Sequence, residues 1–151
     1  MQREADTLLL PAGYSLRWQD EYDSAINVDG ELVVVDLRGP CAVPAHPSAV
    51  DVVTLGSTAV SDGRVLPFAW IDCSALARVI ETSTPTFGRD QRQLVYGRAL
   101  GRVLAHELYH ILAQTMNHTE SGIAKARFDL TDVFEEHAEL PPHLRLSVPM
   151  N

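Results

Sequence analysis

The stretch from Asp90 to about Ala113 or Thr115 is the longest run of helical patterning in the chain, and it carries His106-Glu107-Leu108-Tyr109-His110. Leu100, Val103, Leu104, Ile111 and Leu112 fall at helical spacing and predict a core-facing helix. Ala99, Val103, His106 and His110 recur in steps of four, three and four, so they share one face. Two histidines four apart on a 3.6-residue helix lie about one turn from each other and can hold a single metal ion. Left on a core-facing helix without a metal, two imidazoles and a carboxylate would be buried polar groups in need of partners.

This pattern predicts metal-dependent hydrolysis. A catalytic zinc keeps three protein ligands and an open position for water. His106 and His110 supply two ligands, and His118, eight residues after His110, is the first choice for the third. Asp129, Asp132, Glu135 and Glu136 are the alternatives from the following segment, and His137, His143 and His46 stand behind them. Glu107 sits next to the first ligand and is the expected general base toward water. Tyr109 points from a different side of the helix than Glu107 and is not expected to serve the oxyanion.

The rest of the chain reads as strands followed by short helices. Tyr14 to Gln19 alternates apolar and polar residues and predicts a strand with one buried face. Glu31 to Leu37 predicts a second strand, ended by Arg38-Gly39-Pro40. Val50 to Val60 predicts a third, with Gly56 as a break point. Asp62-Gly63 is a turn signal that joins this run to a strand from Val65 to Ile71 in a hairpin. Asp72 or Ser74 is placed to cap a helix through Ala75 to Ile80. Gly97 and Gly101 inside the long helix each cost about 1 kcal/mol against Ala, which predicts close packing there. Asn117 is the expected left-handed cap after the helix, followed by a loop from Thr119 to Gly122. Thr131 is placed to cap a last short helix from Asp132 to Leu140, stopped by Pro141-Pro142.

The bounds are those of a single domain, residues 1–151, of α+β class. With 46% hydrophobic and 21% charged residues, the 151-residue chain can bury an ordinary core. A net charge of −8 leaves no basic stripe for a nucleic-acid partner. No apolar run nears the roughly 20 residues that span a bilayer, so the expectation is a soluble chain. Cys41 and Cys73 fit no metal knuckle or redox pair; each follows a strand-like run, so a disulfide between strand ends and two separate buried thiols both remain open. A disulfide would point to an oxidising, extracytoplasmic compartment.

His106-Glu107-x-x-His110 with a downstream His118 resembles the zincin metallopeptidases, most nearly the metzincins, whose pattern is H-E-x-x-H-x-x-G-x-x-H. Ala113 stands where that pattern has Gly, His118 comes two residues late, and none of Met1, Met116 and Met150 matches a Met-turn. The stretch from Leu104 to Ala126 also resembles small bacterial proteins predicted to be metzincin-like zinc proteases. The resemblance implies a mixed twisted sheet packed on a long active-site helix, one Zn2+ per chain, and a peptide or protein substrate laid along an edge strand, for which Val50 to Val60 is the candidate. The alternative is a zincin-fold metal-binding module that no longer hydrolyses peptides.

Overall fold

A computed structural model describes residues 1–22, 30–42, 54–126, 132, 138–141 and 144. In chain order the elements are α1 (Gln2–Leu9) with a 3-10 turn (Leu10–Ala12), β1 (Val34–Arg38), β2 (Gly56–Ser61), β3 (Arg64–Asp72), α2 (Cys73–Ser83) and α3 (Arg89–Ala113). The class is α+β, with a small mixed sheet on a long helix. No helix among the described residues is long and apolar enough to cross a membrane.

The sheet order is β1-β3-β2. Asp62 and Gly63 both take positive φ (50° and 72°), the primed-turn geometry that matches strand twist, so β2 and β3 form the expected hairpin. β1 joins β3 in parallel, from Val34↔Phe68 to Arg38↔Asp72. That register brings the C-terminal ends of two neighbouring strands together, and Cys41 and Cys73, just beyond them, are disulfide-bonded. The Asp72 carboxylate then caps α2 by accepting from the Ala75 N–H at 2.8 Å.

The inner face of the sheet sets Val65, Ala69 and Ile71 against α3, while α1 packs on the helix from another side through Ala5, Leu8 and Leu9. Every residue of α3 from Ala99 to Ile111 is buried. A Cβ at Gly101 would stand 2.5 Å from Glu4 Cβ and 2.6 Å from the Met1 carbonyl oxygen, so this glycine lets α1 and α3 approach. Gly97 has only the Met1 nitrogen nearby, at 3.7 Å, and has no such role.

Several expectations are corrected. Residues 2–9 are helical, with Ala5, Leu8, Leu9 and Ala12 at helical spacing. Tyr14 to Gln19 keeps its alternation, with Tyr14, Leu16 and Trp18 turned toward the core, but it joins no ladder among the described residues and is not a strand. Gly56 opens β2 instead of breaking it, and residues 50–53 of that expected strand lie outside the described residues. Gln114, not Asn117, takes the left-handed position after α3, at φ 49°. Of the expected last helix, Ala138 to Leu140 are not helical and most of the remainder lies outside the described residues.

Candidate metal centre

Burial on all sides forces α3 to satisfy its polar residues internally. Arg102 does so with the Glu4 carboxylate, at 2.8 Å, and by donating to the Asp132 carbonyl oxygen. His106, Glu107 and His110 are 9%, 4% and 2% exposed, and their partners define the site.

Each helical histidine is held at Nδ1 by a backbone carbonyl. His106 Nδ1 lies 2.7 Å from Ile123 O, and His110 Nδ1 lies 2.8 Å from Thr115 O. A carbonyl only accepts, so in each neutral ring the proton sits on Nδ1 and Nε2 carries the lone pair. Those two Nε2 atoms face each other at 3.0 Å. Two lone pairs facing each other at that distance repel unless a proton or a metal cation lies between them. Nitrogens bound at 2.0–2.1 Å to a tetrahedral zinc stand roughly 3.3 Å apart, close to what is found. Carbonyls that fix the tautomer of a ligand histidine are the usual outer support of such sites.

His118 completes the group. Its ring centroid lies 5.3 Å from that of His106 and 4.9 Å from that of His110, and one ligand atom from each residue falls within 4.8 Å of the others. Gln114 reverses the chain, and Ile123 and Thr119 pin the returning loop through Ile123 N–Glu139 O and Thr119 N–Ala124 O. His118 is exposed while His106 and His110 are buried, so the group is open on the His118 side.

Among the alternatives for the third ligand, Asp132 is paired with Lys125 and does not join the histidine group. Asp129, Glu135, Glu136, His137, His143 and His46 lie outside the described residues. The Tyr109 hydroxyl, on a side chain 2% exposed, is directed to Asn117 O at 3.4 Å.

Electrostatics follow from burial. Desolvation lowers His106 to about 4, helped by His110 and His118 and opposed by its bond to Ile123. It lowers His110 as well, against its bond to Thr115. The metal-free rings are therefore neutral and in ligand form at neutral pH. Burial pushes Glu107 up to about 7, against the Thr58 hydroxyl, which pulls it down. A carboxyl poised near neutrality can both accept and return a proton.

Two residues of β2 lie against Glu107; the sequence does not single out Thr58 and marks Gly56 only as a break point. Thr58 Oγ1, on β2, donates to Glu107 Oε2 at 2.7 Å and approaches Glu107 O at 3.1 Å. Gly56 lies over the same side chain: a Cβ there would stand 2.8 Å from Oε1 and 3.1 Å from Val103 Cγ1. A lone glycine in a strand pattern is a signal of close approach and was the one available clue. Comparison with known proteins returned no match to a protein family, to a curated protein or to a solved structure.

Proposed function

We propose that this chain is a zinc-dependent peptidase of zincin type, with His106, His110 and His118 as ligands and Glu107 as general base. The observation that carries the reading is the pair of carbonyl-locked imidazoles whose Nε2 atoms converge at 3.0 Å beside a buried carboxyl. Bound there, zinc supplies a Lewis acid that polarises a carbonyl and makes water a nucleophile at neutral pH. Glu107 takes the proton from the attacking water and returns it to the leaving amine. Among the described residues β2 lies at an edge of the sheet, and it lies against Glu107, so an extended peptide added to that edge would run past the catalytic carboxyl. The Cys41–Cys73 bond supports an oxidising, extracytoplasmic setting.

The test is elemental analysis of protein purified without chelators, together with a peptide-library digest by wild type and Glu107→Gln. The reading expects one zinc per chain in both proteins, with cleavage reduced about 10²–10⁴-fold in the variant, the usual range for a lost general base. Absence of metal before and after zinc titration overturns it. Metal without Glu107-dependent cleavage leaves a binding module in place of a peptidase.

A further inference from the structure

The Glu107 carboxyl is gripped on two sides by a strand 49 residues away in sequence. Thr58 is 5% exposed, and its hydroxyl has two acceptors within reach, Oε2 at 2.7 Å and the Glu107 carbonyl oxygen at 3.1 Å. The shorter contact directs the hydroxyl proton at the carboxylate. When Glu107 carries a proton, rotation about the Thr58 Cβ–Oγ1 bond lets the hydroxyl donate to the carbonyl oxygen and accept from Oε2–H. Thr58 thus keeps a hydrogen bond to Glu107 in both states and itself loses no proton. Gly56, two residues earlier, lies over the other oxygen with no room for a side chain, since a Cβ there would stand 2.8 Å from Oε1. A carboxyl with one oxygen tied and the other walled has little rotamer freedom left.

We propose that Thr58 is a positioning residue: with Gly56 as the wall, its hydroxyl fixes the Glu107 carboxyl in the orientation from which it meets water at the three-histidine site. This rests on the peptidase reading above. Hydroxyl chemistry, not strand packing, is what the position requires. Serine keeps it, and valine, of nearly the same shape, removes it.

The test uses the full chain loaded with Co(II) alone and follows the cobalt d–d absorption across the neutral pH range. The proteins are wild type, Glu107→Gln, Thr58→Val, Thr58→Ser, Gly56→Ala and the Thr58→Val/Glu107→Gln double variant. The expected result is a midpoint moved by about one pH unit in Thr58→Val, in the direction Glu107→Gln moves it. Thr58→Ser should return to the wild-type midpoint, and the double variant should match Glu107→Gln alone. A merely structural Thr58 would lower the melting temperature and leave the midpoint in place; that result overturns the proposal. So does a double variant in which the two shifts add. Should Thr58→Val not fold, Gly56→Ala decides by the same midpoint, since its methyl displaces Oε1. A wild type that binds no cobalt, or a Glu107→Gln midpoint equal to wild type, overturns the peptidase reading itself and this inference with it. A shifted Glu107→Gln beside an unmoved Thr58→Val and Gly56→Ala overturns this inference alone.

Discussion

His106 Nδ1 meets the carbonyl oxygen of Ile123 at 2.7 Å, and Ile123 is 1% exposed, packed with Leu8 and Ala105. The loop that follows His118 is therefore anchored in the core by the residue whose carbonyl orients His106. Ile123→Ala keeps that carbonyl and removes only its anchor in the core, so it is expected to weaken zinc binding by less than the about 10–100-fold that loss of an outer support itself brings. Ile80→Ala, at a fully buried position of the main core, should cost about 2–5 kcal/mol of stability and leave zinc affinity unchanged. Competition titration with a chromophoric chelator separates the two. Equal affinity losses in both variants would show that Ile123 acts only through general stability.

Zinc should stabilise the folded chain by mass action. At a free zinc concentration of about 100 times Kd the gain is about 2.7 kcal/mol, seen as a raised melting temperature that excess chelator reverses. In His118→Ala the exposed third ligand is lost while the core is untouched. That variant should melt like metal-free wild type, with or without zinc. A His118→Ala protein that still gains the full shift would remove His118 from the ligand set.

Gly97 and Gly101 make opposite predictions from the same substitution. Ala at Gly97 meets only the Met1 nitrogen at 3.7 Å, so helix propensity dominates and stability rises by up to about 1 kcal/mol. Ala at Gly101 would drive a methyl into Glu4 Cβ and Met1 O at 2.5 and 2.6 Å, which costs about 1–3 kcal/mol in strain. Urea unfolding of the two variants reads the sign directly; a stabilised Gly101→Ala would mean that α1 does not pack on α3 as described.

What was legible in the sequence was local. The β2–β3 hairpin follows from Asp62-Gly63, the start of α2 from Asp72, and the meeting of His106 and His110 on one helix face from their spacing. What was not legible depended on distant partners. Tyr14 to Gln19 has the alternation of a strand, yet burial alternates along any extended segment laid on a core, and only a neighbouring strand makes a ladder. The helix at residues 2–9 is short and has few apolar residues, so its signal is weak, although Ala5, Leu8 and Leu9, with Ala12 just beyond, carry the period. The parallel β1–β3 pairing settles the cysteine question, and no local pattern encodes it. Thr58 reads as one more strand threonine until β2 is laid across Glu107.

The Cys41–Cys73 bond closes a loop of 32 residues, and the chain-entropy relation assigns it about 3–4 kcal/mol through the unfolded state. Cys41→Ser/Cys73→Ser should lower stability by up to that amount. The loss should fall on the β1–β3 junction, since the bond ties the ends of those two strands. Hydrogen exchange at residues 34–38 and 68–72 is the local readout. Unchanged protection there, with unchanged global stability, would show that the bond contributes nothing to the native fold.

The metal-free site should contribute a muted response to acid, because it holds shifts of opposite sign. His106 falls from 6.5 to about 4 on folding, so between those values the unfolded chain binds a proton that the folded chain refuses. Its contribution makes stability fall as pH drops through that window, and His110 acts in the same direction. Glu107 rises from 4.5 to about 7, so the folded chain holds a proton that the unfolded chain has lost. Its contribution is full below 4.5 and is lost as pH rises through 7. In the shared window between 4.5 and 6.5 the terms oppose each other. Glu107→Gln removes the carboxyl term and exposes the histidine term. Its stability in chelator should therefore rise with pH more steeply than wild type across that window, by up to about 1.4 kcal/mol per pH unit for one proton. Urea midpoints taken through the window decide it; parallel curves for the two proteins would mean that Glu107 does not titrate against the histidines in the folded chain.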